Sequence, residues 1–199
     1  MEPGCEQAGN GRRSGAQGRP SGDAPHTVVS DRTERPLDLR ELFRVLAEHG
    51  VDYLVIGGVA AQVHGRRRTT KDLDVTPAPN PENFKRLAAA LEALDARPVE
   101  LAPDSPTPTA EQLQLAAIVP PLTTLHGELH ILNDVPGASA YAGMRTRALT
   151  TDLDEIAVHI VGVDDLIRMK RATGRPGDIE DIEALVTVAR TEARGGGGE

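Results

Sequence analysis

Tyr53-Leu-Val-Ile-Gly57-Gly58-Val-Ala-Ala-Gln-Val-His64-Gly65-Arg66-Arg67-Arg68-Thr69-Thr70-Lys71-Asp72-Leu73-Asp74-Val75 is the stretch that decides the architecture. Tyr53 to Ile56 is a continuous apolar run, suited to a buried strand. Gly57-Gly58 gives a tight exit from that strand, Val59 to His64 has the length for a short helix, and Asp72 to Thr76 reads as the next strand. Side chains alternate along a strand, so Asp72 and Asp74 project to one side with the apolar Leu73 between them.

Outward from this stretch the pattern alternates between helix and strand. Leu39, Leu42, Phe43, Val45 and Leu46 share a helical face that ends at Gly50, which predicts a helix over residues 38–49. Residues 81–97 open on a proline and space Phe84, Leu87, Leu91 and Leu94 as an amphipathic helix. Residues 98–101 read as a strand, and 102–108 as a proline-rich loop. Leu122 to Leu125 and Glu128 to Leu132 read as a hairpin joined at Gly127. A helix over 139–147, a strand over 156–161 and two closing helices over 164–172 and 178–190 complete the order. The expected fold is a mixed α/β (α+β) domain with helices gathered toward the C-terminus. Residues 1–35 read as a disordered N-terminal segment, 36–190 as the folded domain and 191–199 as a flexible tail.

Composition narrows the function classes. No apolar run approaches membrane-spanning length, and Met1 to Pro20 lacks the apolar centre of a secretory signal, so a cytoplasmic protein without a membrane partner is expected. The single cysteine, Cys5, rules out an internal disulfide and a cysteine-rich zinc site. A formal charge of −8 argues against a broadly basic nucleic-acid surface. Two Phe, two Tyr and no Trp leave few stacking platforms. Arg66, Arg67, Arg68 and Lys71 reverse the charge locally, beside the aspartates; such a run reads either as a solvated face or as a contact for polyphosphate or RNA. The glycine spacing lacks the third glycine of a dinucleotide fingerprint.

The chemistry follows from the donors. Mg²⁺ prefers oxygen ligands, one or two carboxylates plus phosphates and water, and Asp72 and Asp74 supply the carboxylates. Backbone N–H groups after Gly57 and Gly58 sit at a helix N-terminus, which favours a phosphate. His64 reads as a helix-terminal residue, and Asp178 as a capping residue ahead of the last helix. His126, Glu128 and His130 alternate along one strand, which admits a zinc reading beside a surface role for His126.

An apolar strand, Gly57-Gly58, an intervening segment and then Asp72-x-Asp74 resembles the minimal nucleotidyltransferase superfamily. His64-Gly65, Arg68-x-Thr70, Lys71-Asp72-Leu73-Asp74 and the closing run from Val163 to Ile182 resemble the branch related to AbiEii toxins of toxin–antitoxin systems. The resemblance spans residues 37–190 and implies a nucleotidyltransferase-like mixed sheet flanked by helices. It implies transfer of a nucleoside monophosphate from a nucleoside triphosphate, with Mg²⁺ (or Mn²⁺), to an acceptor hydroxyl or phosphate. RNA is one acceptor it admits, and a protein antitoxin one partner. Asp72 and Asp74 would be catalytic, and Gly57, Gly58, Arg68, Thr70, Lys170, Arg175 and Asp181 would line the nucleotide side. The superfamily's third metal-binding carboxylate falls where this chain has His130. Glu128 replaces it, His130 serves as ligand or base with an altered metal preference, or the enzyme is weak or inactive: all three outcomes are open.

Overall fold

The computed structural model describes residues 35–99, 105–116 and 119–195. The expectations for residues 1–34, Cys5 included, for Glu100 to Asp104 and for 196–199 lie outside the described residues.

The chain opens with α1 (Leu39–Glu48), whose first turn is capped by Asp38 accepting from the Glu41 N–H at 3.2 Å. Next come β1 (Tyr53–Val55), α2 (Gly57–Val63), β2 (Asp72–Pro77) and α3 (Pro81–Ala93). β3 (Arg97–Pro98), α4 (Ala110–Leu115), β4 (Leu122–Thr124) and β5 (Gly127–Ile131) follow. Then come α5 (Tyr141–Thr146), β6 (Leu149–Leu153), β7 (Ile156–Ile160), α6 (Val163–Thr173) and α7 (Pro176–Gly195).

The strands form one mixed seven-stranded sheet in the order β3-β4-β5-β2-β1-β7-β6. β1 runs antiparallel to β2 and parallel to β7, while β2 runs parallel to β5. The expected mixed α/β fold is therefore the observed one, and the hairpin around Gly127 forms as β4 and β5. Leu54, Leu73, Leu129 and Ile160 on the sheet join Leu42, Leu46, Leu87 and Leu91 of α1 and α3 in a core where none exceeds 1% exposure. Burial of this apolar surface is the main favourable term holding the layers together. α7 packs on α6, and α6 on α2, so the end of the chain returns to the segment that follows β1.

Several boundaries differ from the sequence expectation. The helix over 81–97 stops at Ala93, because Asp95 adopts φ +49° and Arg97 passes into β3, opposite Thr123 of β4. Residues 110–115 form α4, absent from the sequence expectation and opened by a capping box between Thr109 and Gln112. β6 is also additional: it pairs with β7 along its whole length at the edge of the sheet. The helix over 139–147 shortens to α5, and the Ser139 and Arg147 side chains bind Asp165 instead. α7 continues to Gly195, beyond the expected end at Arg190.

Candidate active site

The site begins with two parallel strands. In β2 the burial alternates, Leu73 at 0% and Val75 at 1% facing the core while Asp72 and Asp74 face outward. β5 has the same alternation, with Leu129 and Ile131 inward and Glu128 and His130 outward. The register sets Asp72 beside Glu128 and Asp74 beside His130. Strand pairing, not a loop, therefore delivers the imidazole to the carboxylates.

His130 Nδ1 lies 3.1 Å from Asp74 Oδ1 and 3.5 Å from Asp72 Oδ2. One donor atom from each of Asp72, Asp74 and His130 falls within 4.8 Å of the others, a spacing at which a single ion can be held. Glu128 is outside that group, and so is His126, whose backbone N–H donates to Thr124 Oγ1 at the hairpin turn. Among the described residues the alternating His126, Glu128 and His130 thus form no metal cluster of their own. The Asp74 hydrogen bond raises the His130 pKa above its ordinary value; burial opposes the rise, and the charges of Asp74, Asp72 and Glu128 add to it.

The glycine turn is built against the same carboxylates. Gly57 has φ +63°, and a Cβ there would lie 1.9 Å from Asp74 Oδ2. A Cβ on Gly58 would lie 2.4 Å from Thr70 Oγ1, and that hydroxyl donates to Asp72 Oδ1 at 2.7 Å. Each glycine thus clears space for one aspartate, Gly57 directly and Gly58 through Thr70. His64 ends α2 as expected, and its Nε2 meets the Val161 carbonyl at 2.7 Å.

Across the cleft stands a charged wall that joins the end of the chain to Arg66 and Arg68. Lys170, 7% exposed on α6, donates to Asp181 Oδ2 at 2.8 Å and to Asp178 Oδ1 at 3.2 Å. Arg66 Nε donates to Asp181 Oδ1 at 2.9 Å, and Arg68 approaches the same oxygen at 3.8 Å. Burial alone would push the Asp181 carboxyl up, but the Lys170 and Arg66 hydrogen bonds, with the charges of Lys170 and Arg68, outweigh it and hold it below the ordinary range. Asp178 is not the residue that precedes the helix. It is the third residue of α7, and its carboxylate reaches back to the Arg175 N–H at 3.2 Å while also holding Lys170.

Between these walls is a cleft of about 290 Å³. Gly57, Gly58, Arg68, Thr70, Asp72, Asp74, Lys170, Arg175 and Asp181 all line it; Glu128 and His130 do not. The lining also includes Arg66, from the run read as a solvated face or a polyphosphate contact, and Thr69, Gly177 and Asp178, which the sequence pattern does not assign to a nucleotide. Arg66 was visible as part of the arginine run, and Asp178 as an acidic residue beside Gly177. Arg67 and Lys71, from the same basic run, are exposed and outside the lining. No described helix is long and apolar enough to cross a membrane.

Comparison with known proteins gives a fold and a family. The solution structure of the antibiotic-resistance factor ANT(2'')-Ia is 16% identical, with a TM-score of 0.50 over 76% of this chain and 82% of that one. The crystal structure of ANT(2'')-Ia in complex with adenylyl-2''-tobramycin is 15% identical, with a TM-score of 0.50 over 76% of this chain and 87% of that one. An antigenic nucleotidyltransferase-like protein from Paracoccidioides brasiliensis is 18% identical, with a TM-score of 0.46 over 77% of this chain and 78% of that one. At these identities the likeness to ANT(2'')-Ia is one of fold. No curated protein matches the sequence. The family described as "nucleotidyltransferase of unknown function (DUF6036)" matches residues 37–193, which is most of the chain, and the protein belongs to that family.

Proposed function

We propose that the protein transfers a nucleoside monophosphate from a nucleoside triphosphate to an acceptor hydroxyl or phosphate. One observation carries this reading: the glycine-backed Asp72–Asp74 pair and the Lys170 wall line the same cleft. The acceptor oxygen attacks the α-phosphorus, the bond from that phosphorus to the bridging oxygen breaks, and pyrophosphate leaves while the acceptor loses its proton. The N–H groups at the start of α2, with Arg68, Lys170 and Arg175, receive the phosphates. Thr70 fixes the Asp72 carboxylate, and Asp178 and Asp181 fix the Lys170 ammonium.

Asp72, Asp74 and His130 fit a divalent ion, since their donors converge within 4.8 Å. Mg²⁺ or Mn²⁺ held there would neutralise charge on the triphosphate.

The resemblance of His64-Gly65, Arg68-x-Thr70 and the Val163 to Ile182 run to AbiEii-type enzymes supports a cytoplasmic toxin role, with RNA as acceptor and an antitoxin as protein partner. The exposed Arg67 and Lys71, next in sequence to cleft residues, offer such an acceptor charge contacts. The rival reading, an inactive nucleotide- or partner-binding protein, is favoured by His130 standing where the resemblance implies a carboxylate.

The test incubates the protein with each α-labelled nucleoside triphosphate, Mg²⁺ or Mn²⁺, and total RNA, cell extract or tobramycin. Label transfer that disappears in Asp74→Asn supports the transferase. Absence of transfer under every condition, from a protein that melts cooperatively, supports the inactive reading.

A further inference from the structure

The third group at the aspartate pair offers nitrogen, where Asp72 and Asp74 offer oxygen. Two donors bound side by side on one ion, with bonds of about 2.1 Å, lie about 3 Å apart. His130 Nδ1 stands 3.1 Å from Asp74 Oδ1 and 3.5 Å from Asp72 Oδ2, close to that separation before any ion enters. The ring is held there by the β2–β5 register, which sets His130 beside Asp74 while Leu73 and Leu129, each 0% exposed, anchor the two strands to the core on the opposite face. Glu128, the oxygen donor that would restore an all-carboxylate site, is beside Asp72 in register but outside the converging group.

We propose that His130 is a direct ligand of the ion at Asp72 and Asp74, making a two-carboxylate, one-imidazole centre that selects Mn²⁺ or a later first-row ion over Mg²⁺. The inference rests on the reading that this pair holds the divalent ion of a transferase. Imidazole suits first-row transition ions, whereas Mg²⁺ demands hard oxygen and dehydrates reluctantly. A nitrogen donor therefore adds affinity for the first class of ion and little for the second.

The experiment uses the full chain, stripped of metal and loaded with Mn²⁺, alone and with an ATP analogue whose α,β bridge cannot be cleaved. Pulsed electron paramagnetic resonance reads ¹⁴N coupling to bound Mn²⁺, and competition with Mg²⁺ reads selectivity. Wild type is expected to show imidazole coupling and to prefer Mn²⁺ by about tenfold or more, the scale on which ligand environments alter metal affinity. His130→Gln should lose the imidazole coupling, and His130→Asp should move selectivity toward Mg²⁺ by a similar factor. Bound Mn²⁺ without nitrogen coupling in wild type, or no bound ion, overturns the proposal, and that measurement needs no variant to fold. Transfer with Mg²⁺ by a protein lacking the coupling overturns this inference and leaves the transferase standing. Coupling without transfer upholds the metal assignment and removes the transferase reading instead.

Discussion

Gly57 and Asp74 approach so closely that one added methyl group at the glycine would overlap the carboxylate, 1.9 Å from Oδ2 and 2.6 Å from Cγ. The backbone of Gly57 is also left-handed, at φ +63°. The turn therefore has two separate reasons to exclude a side chain, one steric and one conformational.

Gly57→Ala is expected to lower kcat/KM by about a hundredfold, because a displacement of about 1 Å at a reacting group has that effect. The left-handed conformation should by itself destabilise the alanine variant by about 1–2 kcal/mol, leaving a folded protein. Steady-state kinetics beside thermal melting separates the two. Activity within tenfold of wild type would show that Asp74 has room to move.

Thr70→Val keeps the shape of the side chain and removes the hydroxyl that donates to Asp72 Oδ1 at 2.7 Å. Losing a hydrogen bond behind a metal-binding group typically lowers affinity or activity by about 10–100-fold. Thr70→Ser should restore most of it. Equal rates for the valine and serine variants would remove Thr70 from the positioning of Asp72.

Lys170→Met leaves the Asp181 carboxylate, 3% exposed, without its 2.8 Å partner. Unpairing a buried charge destabilises by about 3–5 kcal/mol, and the remaining Arg66 contact places the expected loss at the lower end. The double variant Lys170→Met with Asp181→Asn should recover part of the stability but none of the nucleotide affinity. Denaturant midpoints and nucleotide titrations read these independently, and recovery of both would assign Lys170 a purely structural role.

Acid should loosen the anchor of α6. Burial pushes the Asp165 carboxyl up, but hydrogen bonds from Arg147 and Ser139 and the charge of Arg168 outweigh it and hold it below its ordinary value. A depressed folded value means that the unfolded chain takes up its proton first as pH falls. The stabilisation is complete above the ordinary carboxyl value of about 3.9 and is lost as pH falls through the folded value. The denaturant midpoint of wild type should therefore drop as pH falls below about 4. Asp165→Asn should lower the midpoint at pH 7 and flatten that slope, with Asp181 supplying what remains. Parallel pH profiles for the two proteins would contradict this account.

The turn from β1 to β2 was legible in the sequence because its chemistry is local: an apolar run, two glycines and an alternating Asp-Leu-Asp. β6 was not, since Leu149, Thr150 and Asp152 are exposed at the sheet edge and show no apolar alternation. α4 buries only Leu113, too little for a helical period, although its capping box was readable. The end of α3 depends on Asp95 taking a conformation that its residue type does not announce. At the site, both walls of the cleft were readable as motifs. Their pairing was not: Arg66 meets Asp181 across 115 positions, and no local pattern encodes a contact of that range. That His130 and not Glu128 converges with Asp72 and Asp74 likewise depends on the register of β5 on β2, which no local pattern encodes.

The return of α6 and α7 to the start of α2 has a consequence for synthesis. A nascent chain that has already exposed Asp72 and Asp74 carries Arg66 and Arg68 beside them but only one wall of the cleft, because Lys170, Arg175 and Asp181 emerge last. Until α7 has docked, Arg66 and Arg68 lack their Asp181 partner and the cleft has no second wall. On the proposed function, the nucleotide site is therefore complete only once the C-terminal helices have been made.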